Sequence, residues 1–109
     1  GSWITDTFTS FSAQKIRVSA NLSFTSAIYT AGNRIVASIY KNGSLYSYGL
    51  FNGIGAAVTS EQGAFITDTV SVISGDTVQV RVANNRTAGA TSLNTAAGAN
   101  RLSIEKVGN

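Results

Sequence analysis

Cysteine and histidine are both absent from the 109 residues. Without cysteine no disulfide can form, so the sequence does not indicate a redox compartment. Without histidine, Ser-His and Cys-His nucleophilic sites and the usual zinc ligands are excluded. No loop combines its asparagines with acidic side chains as a calcium site requires, so the sequence predicts neither a metal nor a cofactor.

Charged residues make up only 12% of the chain, about half the share in an average domain. The eight basic residues leave a net charge of +3, but no two of them are neighbours. A nucleic-acid-binding protein more often shows a basic cluster or stripe, so no nucleic-acid partner is expected. No apolar run is long enough to span a membrane and no signal-peptide pattern is present, so membrane insertion is not expected either.

The few carboxylates do not predict a catalytic site. A glycosidase needs two carboxylates on either side of a cleft, and nothing in the spacing pairs any two here. Asp76 is explained by its turn and Glu105 by an outward position on a strand. The sequence therefore predicts a protein that is not an enzyme. The five carboxylates are Asp6, Glu61, Asp68, Asp76 and Glu105.

The length is that of one domain. Residues 1–2, Gly-Ser, look like a cloning scar, so we expect a single domain over residues 3–109 that is the C-terminal head of a longer fibrous protein. Proline is also absent. Edge strands therefore cannot be protected by proline, and we expect neighbouring strands, loops or subunits to cover them.

Apolar and polar residues alternate with a period of two along most of the chain, which is typical of strands with one buried face. Residues 15–24 give five consecutive matches, and residues 69–82 give two valine-rich arms joined at Ser74-Gly75-Asp76. We interpret those arms as the central hairpin, 64–73 with 76–84. An Asn-Gly pair at 42–43 predicts a type I′ turn.

The remaining segments complete an all-β pattern of about eight strands and no helix. Residues 3–11 are predicted as a strand that pairs with the C-terminus, with a linker as the alternative. Such a pattern is typical of an antiparallel two-sheet sandwich or jelly roll. The other predicted strands are 34–40, 44–52, 91–96 and 101–107, and the predicted loops are 29–33, 52–63 and 85–90.

The strand at 34–40 is apolar on both faces, with Ile35, Ala37 and Ile39 on one and Val36 and Tyr40 on the other. A partner subunit over the second face explains this pattern, and so does a long loop of the same chain. The sequence alone leaves both explanations open.

Four segments together resemble the C1q/TNF-like jelly roll of bacteriophage tail-fibre and receptor-binding proteins. They are KIRVSANLSF (15–24), GNRIVASIYKNGS (32–44), TVSVISGDTVQVRV (69–82) and RLSIEKVG (101–108). The resemblance implies a ten-stranded jelly roll that forms a homotrimer with one sheet facing the three-fold axis. The segments that match the inner strands of that sheet are 34–40, 77–82 and 101–107. The implied interface residues are Ile35, Val36, Tyr40, Val80, Val82 and Ile104.

The resemblance implies a virion protein at the tip of a fibre or spike, and a bacterial surface polysaccharide as partner. Exposed tyrosines beside polar residues suit a sugar ring, and the alternative for Tyr46 and Tyr48 is that they pack on the sheet surface or between subunits. The alternatives are a structural knob that caps a fibre, a monomeric carbohydrate-binding module, and a stand-alone C1q-like ligand. The predicted ligand-binding residues are Tyr29, Asn33, Tyr46, Tyr48, Asn52, Asn84 and Arg86.

Overall fold

The computed structural model describes residues 2–4, 7–49, 52–85 and 100–109. These residues form two antiparallel sheets and no helix, which confirms the predicted all-β two-sheet sandwich. Within them, no helix is long and apolar enough to cross a membrane. The strands are β1 Ser2–Ile4, β2 Phe8–Thr9, β3 Gln14–Tyr29, β4 Arg34–Lys41, β5 Ser44–Tyr48, β6 Asn52–Gly53, β7 Val58–Val72, β8 Thr77–Asn84 and β9 Arg101–Gly108.

The two sheets differ in size. Sheet A has the strand order β1-β8-β4-β5, with the short strands β2 and β6 paired to β8 and β4. Sheet B has the order β7-β3-β9. Strand β3 is 16 residues long and pairs with β7 over almost its whole length, with a register shift between Phe24 and Ala27. This long pair of strands is the main part of sheet B.

The core lies between the sheets, where the alternation of the sequence places it. The alternating apolar positions of β3 from Ile16 to Phe24 are buried and so are Val78, Val80 and Val82 of β8. Polar positions between them, such as Arg17 and Asn21, are exposed. Each sheet therefore has one face in the core and one face outside. The core residues of β3 are Ile16, Val18, Ala20, Leu22, Phe24 and Tyr29.

The turn at Ser74-Gly75-Asp76 does not close a hairpin, and this corrects the sequence prediction. Strand β7 pairs with β3 in sheet B, whereas β8 pairs with β4 in sheet A. The chain therefore crosses from one sheet to the other here, with Gly75 at a φ of 92° that favours glycine. The valines of both arms still point inward, but they belong to opposite sheets of the core instead of lying side by side in one sheet.

The N-terminal segment is a strand in two pieces, and its partner differs from the expected one. Both β1 and β2 pair with β8, not with the C-terminal strand. Strand β9 pairs instead with β3, at the edge of sheet B. The Asn-Gly turn has positive φ at both residues, 52° at Asn42 and 80° at Gly43, as a type I′ turn requires.

Two predicted loops are partly strand. Tyr29 is the last residue of β3, and β6 and the first six residues of β7 occupy most of the predicted loop 52–63. The pairing of β7 with the full length of β3 explains the second difference, because it extends a strand through a sequence with weak alternation. Most of the predicted loop 85–90 and all of the predicted strand 91–96 lie outside the described residues.

Charged residues protect both edges of sheet B. Asp68 of β7 pairs with Val18, and Lys106 of β9 pairs with Ile16. Paired residues share a face of the sheet, so both charges occupy core-side positions on an edge strand, where they remain exposed. An inward charge makes an edge unfavourable for pairing with another strand, because the added strand would bury it.

Candidate functional site

Several of the predicted ligand-binding residues have structural roles. Tyr29 is fully buried in the core, which removes it from any surface site. The Asn33 carboxamide oxygen accepts hydrogen bonds from the backbone N–H of Thr30, at 2.9 Å, and from its hydroxyl, at 3.4 Å. These bonds hold the turn between β3 and β4. Asn84 is only 8% exposed and lies on the core side, opposite Ile35.

The two tyrosines of β5 are at the surface. Tyr46 is 45% exposed and donates its hydroxyl proton to the Thr69 carbonyl at 3.2 Å, which links sheet A to sheet B. Tyr48 is 62% exposed. Of the other predicted residues, Arg86 lies outside the described part of the chain, and Asn52 is described there only as backbone of β6.

Tyr48 and Asn84 line one shallow depression of about 250 Å³ at the end of sheet A. Arg34, Val36 and Asn85 line it too. The Asn85 carboxamide oxygen accepts a 2.7 Å hydrogen bond from the Arg34 backbone N–H, so this side chain fixes the rim of the depression. Two of the predicted ligand-binding residues are thus brought together here.

The outer face of sheet A is partly apolar. Val36 and Tyr40 of β4 are half-buried and point away from the core, beside Ala83 and Gln79 of β8. The Arg81 guanidinium stacks on Tyr40, with its carbon 4.0 Å from the ring centre. In this stacked position the cation is attracted to the face of the aromatic ring, so it costs little free energy to place the cation there. The face is therefore partly apolar and aromatic, and it carries the positive charge of Arg81.

The predicted interface residues divide into three groups. Val36 and Tyr40 lie on this outer face, as the two-sided pattern of residues 34–40 predicted. Ile35, Val80 and Val82 are at most 1% exposed and fill the core of their own chain, so they have no surface to offer a partner. Ile104 lies on β9 in sheet B, and the three segments proposed to share one sheet therefore do not.

The outer face of sheet B is polar. Three cross-strand rows follow from the register: Phe65-Asn21-Arg101, Thr67-Ser19-Ser103 and Thr69-Arg17-Glu105. The Ser19 and Thr67 hydroxyls are 2.9 Å apart and hydrogen-bonded. Arg17 donates to Glu105 at 2.7 Å in an exposed ion pair, which contributes little stability by itself.

A shallow depression of about 480 Å³ lies on this polar face. It extends over the first two rows, from Phe65 on β7 to Arg101 and Ser103 on β9. Phe65 is 61% exposed in spite of its size. This site was not predicted from the sequence, because none of its residues stands out until the register places them together. The one signal of this site in the sequence is Phe65, an aromatic residue at an outward position of β7, before Thr67 and Thr69.

A network around Asp76 joins two turns at the opposite end of the sandwich. One carboxylate oxygen accepts from the Asn42 amide at 2.9 Å, and the other accepts from the Ile73 backbone N–H at 2.9 Å and lies 3.6 Å from the Lys41 ammonium. The Asn42 hydrogen bond, then the Ile73 N–H, and then Lys41 hold the pKa of Asp76 below its ordinary value of 3.8. Asp76 is therefore a structural carboxylate that stays ionised.

Replacing Asp76 with asparagine is expected to lower the melting temperature at neutral pH but not in strong acid. The NH2 group of the new side chain would face either the Asn42 side-chain N–H or the Ile73 backbone N–H, and both of these donors need an acceptor. Because the folded-state pKa is depressed, the carboxylate stabilises the fold above the ordinary pKa, and this contribution disappears as the pH falls through the folded-state value. Melting curves of both proteins between about pH 2 and pH 7 test this; a difference that is constant across the range contradicts it.

Within the described residues, no three His, Cys, Asp or Glu side chains lie close enough to hold a metal ion. No protein-family model matches the chain, and no curated protein matches it.

Proposed function

We propose that the chain is a non-enzymatic binding module that assembles as a homotrimer and attaches to a glycan on a bacterial surface, as at the tip of a phage fibre or spike. In this proposal the sandwich is a C1q/TNF-like jelly roll. The inner strands β4 and β8 join the subunits through the outer face of sheet A, and the outer face of sheet B, together with the edge strand β5 beside it, binds sugar.

The observation that carries the proposal is the difference between the two outer faces. Sheet A presents Val36, Tyr40 and Ala83 around the cross-strand pair of Ser38 with Arg81, while sheet B presents mainly charged and hydroxyl-bearing side chains. Both sheets already bury their inner faces against each other, so an outer apolar face is not needed for the fold of one chain. Aromatic residues with an arginine are typical of the buried centre of protein interfaces.

Closed three-fold assembly also suits weak sugar sites. Each subunit of a trimer repeats the same ligand-binding surface, and simultaneous binding to a repetitive polysaccharide raises the overall affinity without new contacts. Polar, hydroxyl-rich surfaces with exposed aromatic rings are present on both sheets, at Phe65 and at Tyr48. These rings offer flat apolar faces to the flat apolar faces of sugar rings.

A test of attachment uses the fluorescently labelled protein and a panel of bacterial strains that differ in surface polysaccharide. We expect it to decorate some strains, to lose this binding when the polysaccharide is stripped enzymatically, and to block phage adsorption on the same strains. A protein that assembles but decorates no strain would favour the second function, a structural knob that caps a fibre. The apolar face supports that function equally, since it needs assembly alone.

A further inference from the structure

Two exposed aromatic side chains mark the edge where the two sheets meet. Phe65 of β7 is 61% exposed and Tyr48 of β5 is 62% exposed. Both line a depression of about 260 Å³, together with Gly49 and Thr67. The two rings border the same depression and so form a pair of apolar platforms.

Gly49 fixes the position of these platforms relative to each other. Its backbone N–H donates to the Ala37 carbonyl at 2.7 Å. A Cβ added at Gly49 would lie 2.8 Å from the Phe65 carbonyl oxygen and 3.0 Å from that of Ala37. Only glycine lets the chain approach both strands this closely, so the end of β5 is held against the backbone of β7 at Phe65 itself.

From Phe65 the larger depression continues across sheet B to Arg101. The register places Phe65 opposite Asn21, and Asn21 opposite Arg101. Adjacent strands are about 5 Å apart, so the ring and the guanidinium belong to backbones about 10 Å apart. An apolar ring, an amide and a cation therefore follow one another along a single row, next to the hydroxyls of Thr67, Ser19 and Ser103.

The polar groups at the end of this row are available for a ligand. Within the described part of the chain, neither the side-chain amide of Asn21 nor the guanidinium of Arg101 makes a hydrogen bond or an ion pair. By contrast, Arg17 is neutralised by Glu105, and Ser19 is bonded to Thr67. The free charge inside the depression is thus positive and is located at Arg101.

We infer that this surface, from Tyr48 over Phe65 and Asn21 to Arg101, binds an acidic oligosaccharide. The inference rests on the proposed function and names the class of glycan. One sugar ring stacks on Phe65 and the next on Tyr48, while Asn21 donates to ring hydroxyls. A carboxylate on the sugar accepts two parallel hydrogen bonds from Arg101, the geometry that an arginine offers best.

Calorimetric titration of the purified protein, with short oligomers of galacturonate, alginate and hyaluronate as probes, tests the inference. Neutral dextran oligomers of the same length serve as the comparison. We expect at least one acidic oligomer to bind and the neutral ones to bind about tenfold more weakly or not at all, since loss of one charged hydrogen bond has about this effect.

Two pairs of variants locate the site. Phe65→Ala is expected to weaken binding about tenfold and Phe65→Trp to retain it, because tryptophan keeps a stacking surface. Arg101→Gln is expected to remove the preference for acidic oligomers. Lys15→Gln is the matched control, since it removes the same charge from the same face outside the depression. Circular dichroism and melting curves check that every variant is folded.

The inference is overturned by no binding of any acidic oligomer, by an equal effect of Lys15→Gln and Arg101→Gln, or by unchanged binding of Phe65→Ala. Tighter binding of single-stranded DNA than of every acidic oligomer would also overturn it. If neutral glycans bind elsewhere on the protein and the protein still decorates cells, the inference is overturned and the proposed function stands. Failure of the protein to decorate any strain, with an acidic oligomer still bound at Phe65, would overturn the proposed function alone.

Discussion

Replacing Val36 with aspartate is expected to convert the proposed homotrimer into folded monomers. Val36 is half-buried at the centre of the outer face of sheet A, beside Ala83. In an assembled interface the new carboxylate would be buried without a partner, which costs about 3 to 5 kcal/mol. The dissociation constant should therefore rise at least about a hundredfold. In the separate chain the side chain keeps contact with water, so the fold itself should survive.

Sedimentation equilibrium over a range of protein concentrations, together with circular dichroism, measures this effect. Val107→Asp is the matched control, because Val107 is a 41% exposed valine on β9 in the other sheet. We expect this control to leave the mass unchanged. If Val36→Asp keeps the mass of the unmodified protein, or if both variants change it equally, the outer face of sheet A is not the subunit interface.

Replacing Phe24 with alanine is expected to lower the free energy of unfolding by about 3 to 5 kcal/mol. Phe24 has no exposed surface and is one of the largest side chains in the core. Its removal takes away the apolar contacts of the ring and leaves a cavity that the two sheets cannot close without moving toward each other. A loss of this size is a large fraction of the stability of a small domain.

Urea unfolding at one fixed protein concentration measures this loss, since the stability of an oligomer depends on concentration. Phe65→Ala is the control, because it is the same substitution on the paired strand at a 61% exposed position. We expect it to change the free energy of unfolding by less than about 0.5 kcal/mol. Similar losses in the two variants would mean that the core does not lie where the alternation of β3 puts it.

The alternation of the sequence was sufficient to predict the fold class and the faces of the main strands. Burial with a period of two is a local property, so β3 and β8 could be assigned without knowledge of their partners. The Asn42-Gly43 turn could be predicted for the same reason, since positive φ at two consecutive residues strongly favours this pair.

Partner strands were harder to predict than faces. Two valine-rich arms joined by a Gly-containing turn have the same local pattern whether they pair side by side or face each other across the core. At Ser74-Gly75-Asp76 the chain changes sheets, and nothing local distinguishes this from a hairpin. The position of Tyr29 was missed because β3 continues through a register shift after Phe24, where the alternation is interrupted.

The binding surface depends on register even more strongly. Asn21, Phe65 and Arg101 are far apart in the sequence and become neighbours only through the pairing of β3 with both β7 and β9. Tyr48 was found because exposed tyrosines near a strand end are conspicuous by themselves. The contribution of Gly49, which depends on a close backbone approach to two other strands, has no counterpart in the local sequence.

Light scattering across a range of protein concentrations tests most directly the claim that the apolar face of sheet A joins subunits. One chain has a mass of 11.3 kDa, so three chains make about 34 kDa. We predict a mass of about 34 kDa that persists on dilution. A mass of 11.3 kDa at every concentration would contradict the account, because Val36, Tyr40 and Ala83 would then face water in the functional protein.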